Sequence, residues 1–140
     1  MVNLSKNFTL DELTVTNTGA VNIPNEEQTR KLCFLAQYLL QPIRDEFGPI
    51  QINSAFRSSF VNEKIGGSKT SQHMDAEAAD IKPLEANITE VFQWCRTNLI
   101  FGQLIFEHKG DAWWIHISLP RVNKPNGMVM KYEKGEYTNV

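Results

Sequence analysis

Apolar residues recur along this chain at two periods. From Asn25 to Phe47, the positions Leu32, Leu35, Ala36, Leu39, Ile43 and Phe47 follow every three or four residues, the spacing that gathers side chains on one face of a helix. Pro24 and Asn25 precede this segment, Glu26 and Glu27 occupy its first turn where carboxylates favour the positive end of the dipole, and Gly48 ends it. Pro42 removes a backbone donor inside the pattern and predicts a kink or an early break. A second helical pattern, with Ile88, Val91, Phe92 and Cys95 inward, runs from Asn87 to Leu99.

Between and after these helices the pattern changes to that of strands. Pro49 to Phe56, PIQINSAF, has the length and Ile alternation of one, and a short helix from about Ser59 to Ile65 ends at Gly66 and Gly67. AADIKP, Ala78 to Pro83, reads as a short buried strand stopped by its proline. GQLIFE and AWWIHISL flank HKGD, which predicts an antiparallel hairpin. A turn at Lys109 and Gly110 would pair His116 with Gln103 and set Gln103, Ile105 and Glu107 on the face of Trp114, His116 and Ser118. A slip of one residue would turn that face over. The order of elements predicts an α+β fold in which helices pack beside a small antiparallel sheet.

Length and charge narrow the possibilities. At 140 residues and 41% hydrophobic content, positions 1–140 suit one globular domain with a real core. A net charge of -2 and a pI near 5.9, with no run of Lys or Arg, argue against a nucleic-acid partner. The N-terminal MVNLSKNFTLDEL has neither a signal-peptide apolar region nor the roughly 18 apolar residues of a membrane helix, so the expected product is made in the cytoplasm, is soluble and is monomeric. Cys33 and Cys95 fall among apolar helical residues at no metal or redox spacing, and both are expected to be reduced core residues.

SQHMDAEAAD, Ser71 to Asp80, sets a histidine and an aspartate seven residues apart in a chain with three histidines. A catalytic zinc ion takes three protein ligands, nitrogen or oxygen at about 2.0–2.2 Å, and leaves a position for water. Seven residues span roughly 10 Å of helix or over 20 Å of strand, so His73 and Asp80 reach one ion only if the chain bends between them. Ala76, Ala78 and Ala79 would permit that bend, and His116 is the candidate third ligand. On spacing alone each residue has a plainer role: a satisfied core histidine at 116, a polar loop at 73, a turn or cap at 80, a solvated turn at His108.

Ser71, His73, Ala78 and Asp80 resemble the S-x-H-x-x-G-x-A-x-D signature of the zinc D-Ala-D-Ala carboxypeptidases and related phage endolysins, whose domain has the Hedgehog-type fold. WIHIS, Trp114 to Ser118, resembles the second motif of that family, and NSAFRSSFVNEKIGGSKTSQH is similar to the arginine-serine segment and the Asn- and Gly-containing run before the first ligand. FTLDEL and the NIPNEE…LLQPIRDEFG helix look like the short, phage-associated branch, and the likeness extends over residues 7 to 119.

The resemblance implies Zn2+ held by His73, Asp80 and His116, with Arg57 facing the oxygen that becomes negative during hydrolysis. Ser71 and Gln103 would orient the loop and the ligands. Ala76 stands where the signature has glycine, a change tolerated if that backbone does not need a positive φ. Many relatives carry the general base as glutamate three residues before the last ligand or histidine two before it, but Trp113 and Trp114 occupy those positions. Other branches place the glutamate at the end of the preceding strand, as QLIFE does with Glu107; Asp111 and His108 are alternatives. The implied activity is hydrolysis of an amide bond in bacterial peptidoglycan stem peptides, D-Ala-D-Ala or L-Ala-D-Glu. The chain would act on the cell wall after release or as part of a virion. The rival reading is a zinc-binding structural module of the same fold without turnover. Trp113 or Trp114 would line the cleft or pack in the core.

Overall fold

The computed structural model describes residues 2–140. A single turn, α1 (Leu10–Leu13), is followed by α2 (Glu26–Leu35), a wider π turn (Ala36–Leu40) and α3 (Gln41–Phe47). Asn25 and Gln28 close a reciprocal capping box at the start of α2, which satisfies two amide donors that the helix itself leaves free. The break expected at Pro42 falls one turn earlier. Pro42 has no amide to donate and its ring would crowd the carbonyl four residues back; the π turn absorbs both effects, with the Gln41 amide reaching the Ala36 carbonyl.

The remaining elements are β1 (Ile50–Ser54), α4 (Ser59–Ile65), β2 (Ala78–Pro83), α5 (Ile88–Asn98), β3 (Gln103–Lys109), β4 (Ala112–Ser118), β5 (Met128–Glu133) and β6 (Glu136–Asn139). Ser58 caps α4 through the Val61 amide, and Gly66 ends it at φ 70. The strands form one sheet in the order β1-β2-β4-β3-β5-β6. The α+β class stands, but the sheet is larger than the pattern anticipated and its β3–β5 pairing is parallel. β5 and β6 form a hairpin whose two-residue turn, Lys134 and Gly135, has positive φ at both positions.

Alternation divides the sheet into two faces. Ile50, Ile52, Ala79, Ile81, Leu104, Ile115 and Ile117 belong to the hydrophobic core, where α5 covers β2, β3 and β4 with Val91, Phe92 and Cys95. Asp80, His116, Ile105 and Glu107 stand on the other face, and the registers Asp80–His116 and His116–Ile105 set them side by side. In β1 the pairing slips: Ile52 opposes Ile81, but Ser54 opposes Asp80, so Asn53 is an extra residue and a bulge rotates Ser54 onto the Asp80 face.

The β3–β4 hairpin turns at Gly110 and Asp111, with Gly110 at φ 60, and His116 pairs with Ile105 rather than Gln103. A tight turn needs a positive φ at its first central residue, which Gly110 supplies freely and Lys109 does not. The difference from expectation is two residues, an even number, so the residues sharing each face are those the pattern predicts. Both cysteines are free; burial pushes the Cys95 thiol up to about 12, which suits a core residue and not a nucleophile. Among the described residues no helix is long and apolar enough to cross a membrane.

Candidate metal centre

Asp80 and His116 are held opposite each other by the β2–β4 ladder, and the His116 Nδ1 lies 3.0 Å from Asp80 Oδ1. His73 arrives from outside the sheet. The segment between α4 and β2 is a series of tight turns: the Met74 amide donates to the Ser71 carbonyl, Asp75 to Gln72, and Ala76 to His73. Its last reversal is made by Ala76, fully buried at φ 60. The backbone therefore does require the left-handed conformation there, and the condition under which alanine would replace the signature glycine without strain is not met. Ala78 and Ala79 are fully buried beside it, as close packing beneath the loop demands.

The loop is tied down from three sides. Ser71 Oγ accepts the His73 amide, the Arg57 amide donates to the His73 carbonyl at 3.0 Å, and Arg121 Nε donates to Glu77 Oε1 at 2.6 Å. Arg121 also pairs with Asp75, and Lys31 of α2 reaches Glu77 at 3.3 Å. His73 is 3% exposed, and its Nδ1 lies 2.7 Å from the Ala55 carbonyl, which can only accept. The proton is thereby assigned to Nδ1, and Nε2 carries a lone pair.

That lone pair is the decisive atom. His73 Nε2 is buried without a hydrogen-bond partner, 3.3 Å from Asp80 Oδ1. Burial, the largest influence on His73, lowers its pKa, so the ring is neutral at pH 7 and the close approach is that of two acceptors. Two buried acceptors facing one another call for a cation between them. One ligand atom each from His73, Asp80 and His116 lie within 4.8 Å of one another, the two-nitrogen, one-oxygen donor set that zinc accepts. Burial alone would raise the Asp80 carboxyl, yet the imidazoles of His73 and His116 outweigh it and hold the group well below the usual carboxylate range.

The three donors form the floor of a cleft of about 380 Å³, whose lining includes Arg57, Ser71, Gln103 and Glu107. Arg57 does not stand free. Its Nη2 is 3.3 Å from Asp80 Oδ2, its Nε donates to Ser54 Oγ at 3.1 Å, and its Nη1 is 3.4 Å from Asn62 Oδ1. Gly67 guards this arrangement, because a Cβ there would lie 2.2 Å from Asn62 Oδ1. Gln103 reaches the cleft wall, but among the described residues no hydrogen bond joins its side chain to His73, Asp80 or His116.

Glu107 lies on the same face as His116, two pairs further along the hairpin, opposite Trp114. The Trp114 indole donates to Glu107 Oε2. Burial first, and then the charge of Asp80, raises the Glu107 carboxyl, which moves it towards the range a general base needs at neutral pH. The alternatives are elsewhere. His108 stacks on Trp113 at 3.8 Å on the opposite face, and Asp111 is an exposed turn residue; neither lines the cleft.

Sequence patterns did not single out Ser54, Asn62, Arg121 or Tyr137. Only Asn62 had a signal, in the Asn- and Gly-containing run after Arg57; the others are brought in by a bulge, a crossover and a strand pairing that no local pattern announces.

The same stretch of chain is recognised by comparison with known families. The model of the family described as Peptidase M15 matches residues 6–118. The chain belongs to the Peptidase M15 family. M15 proteins are zinc-dependent peptidases, and the His73, Asp80 and His116 cluster of this member is able to hold such a metal. No curated protein matches this M15 chain.

Proposed function

We propose that this M15 protein is a zinc-dependent peptidase that hydrolyses an amide bond in peptidoglycan stem peptides, with His73, Asp80 and His116 as the metal ligands. The observation that carries the reading is the unpartnered, buried His73 Nε2 facing Asp80 beside His116. Zinc bound to these residues would supply a Lewis acid that polarises the scissile carbonyl and makes water acidic near neutral pH. Glu107 accepts the proton of the attacking water and then donates it to the leaving amine. Trp114 holds the carboxylate in place by its indole N–H. Arg57, fixed by Ser54, Asn62 and Asp80, keeps the Asp80 carboxylate oriented and places a guanidinium beside the developing oxyanion. Ser71 fixes the His73 backbone, and Gln103 offers its amide to the substrate from the far side of the metal ligands.

The structural-module reading has one discriminating experiment. Purified sacculi are digested with the zinc-loaded protein, with and without chelator, and the fragments are analysed by mass spectrometry. New termini at a stem-peptide bond, lost with chelator, are expected and identify which bond is cut. Intact stem peptides despite one zinc per chain would make the protein a structural module.

A further inference from the structure

The C-terminal hairpin lies beyond the residues that the M15 family model matches, and it contributes Tyr137 to the lining of the cleft. Its strands continue the sheet from β3, and the registers define a row across four strands: Trp114 opposes Glu107, Glu107 pairs with Tyr132, and Tyr132 opposes Tyr137. Paired residues share a face, so both tyrosines stand on the face of Glu107. The rings of Tyr132 and Tyr137 pack at 4.5 Å, and Tyr137 lines the cleft with Glu107 and His116. Burial, then the charges of Glu107, Tyr132 and Asp80, raise the Tyr137 phenol above its ordinary value. It is therefore protonated at neutral pH, a hydrogen-bond donor on a side chain that lines the cleft and stays 58% exposed. Among the described residues nothing accepts from it.

The site has a direction along the strands. Gln103 lies on one side of the row that holds Ile105 and His116, and Glu107 lies on the other. A base that passes its proton to the leaving amine must stand on the leaving side of the scissile bond. Glu107 marks that side, and Tyr137 is the next cleft residue outward from it in the same row. We infer that Tyr137 is a substrate-contacting residue that determines leaving-side specificity, donating from its phenol to a carbonyl or carboxylate oxygen of the leaving residue. The inference rests on the peptidase reading and adds to it where the substrate lies.

The test uses zinc-loaded full-length protein, a synthetic stem peptide ending in D-Ala-D-Ala and its C-terminally amidated form. Tyr137→Phe keeps the ring against Tyr132 and removes only the hydroxyl. The expected result is a KM about 3- to 10-fold higher, the loss of one hydrogen bond, with kcat, zinc content, melting temperature and the acid limb of the pH profile unchanged. In the Glu107→Gln background, where bound peptide is cut too slowly to matter during a titration, calorimetry should give the same fold loss in Kd. A larger loss with the free carboxylate than with the amide identifies a carboxylate acceptor, and equal losses identify a carbonyl. An unchanged KM and Kd overturns the inference, as does a moved acid limb with unchanged KM, which would make Tyr137 a partner of Glu107 and not of substrate. If the wild-type protein cuts no stem peptide, the peptidase reading falls and this inference with it; if wild type cuts and Tyr137→Phe is indistinguishable from it, only the inference falls.

Discussion

Two of the three proposed metal ligands are delivered by regular strands and the third by an irregular loop. Asp80 and His116 occupy opposed positions of the β2–β4 ladder, where ordinary extended backbone and alternation are enough to aim both side chains at one point. His73 needs a run of tight turns, an alanine at positive φ, a backbone carbonyl to orient its ring, and salt bridges through Arg121 and Lys31 to hold its loop. A ladder positions ligands as a by-product of sheet formation; a loop must be fastened residue by residue. The same division runs through the other cleft groups, with Glu107 on a strand and Arg57 in the segment between β1 and α4.

The division is tested most strongly at the ligands. His73→Ala and His116→Ala should each abolish stoichiometric zinc by elemental analysis, and full retention in both would misassign the site. They should differ in stability. The His73 ring is 3% exposed and bonded to the Ala55 carbonyl, so its removal leaves a cavity and an unpaired acceptor worth roughly 2–4 kcal/mol in chemical denaturation. His116→Ala should cost clearly less, because the ladder that carries it is unaffected. The reverse order would contradict the picture of a loop fastened through its ligand.

Glu107→Gln should keep zinc and fold while reducing hydrolysis by about 10²- to 10⁴-fold. Full activity in that variant would pass the role of base to another group. Glu107 acts as a base only when ionised, and its pKa is raised by burial and by Asp80, so kcat/KM should fall as pH drops through a value above the ordinary carboxylate range. The Trp114 hydrogen bond favours the ionised form, and Trp114→Phe should therefore move this acid limb to higher pH. A limb that moves down, or not at all, would detach Trp114 from the base.

A smaller effect is expected where the loop side holds Arg57. In Gly67→Ala the new methyl would displace Asn62, and with it one of the three anchors of the guanidinium. Loss of such an indirect contact should lower kcat/KM by about tenfold with zinc retained. No change would mean that Ser54 and Asp80 are sufficient.

The smallest effect separates ladder from loop by one chemical change. Ala79→Gly removes a buried methyl from a strand and loosens its backbone, at a cost of about 1.5 kcal/mol. Ala76→Gly loses the same methyl but also relieves a left-handed alanine, so its net cost in chemical denaturation should be near zero. Equal costs at the two positions would show that the turn stores no strain.

The contrast also explains what could be read from the sequence. α4 and β2 have the bounds that Gly66, Gly67 and Pro83 announce, and the faces of β3 and β4 follow from alternation, so the neighbourhood of His116, Ile105 and Glu107 was legible. The turn was misplaced by one position because Lys109–Gly110 and Gly110–Asp111 both contain the glycine, and only the demand for a positive φ at the first position chooses between them. Tyr137 was not legible, since its place depends on a parallel pairing between β3 and β5 across an irregular crossover. Nor were the ties of Arg57, because Ser54 faces it only through a slip in pairing that alternation by itself predicts against. The condition set on Ala76 was not legible either, because composition does not report φ.

Asn53 is the place in β1 where pairing register, and not side-chain identity, matters to the site. Its own side chain meets only Gln51 in the hydrogen bonds described, so replacement by another polar residue should pass unnoticed. Were Asn53 itself to pair with Asp80, the ladder would close regularly, Ser54 would turn round to the helix side and Arg57 would lose an anchor, while every residue kept its identity. At this position the protein is indifferent to spelling and intolerant of a changed reading frame.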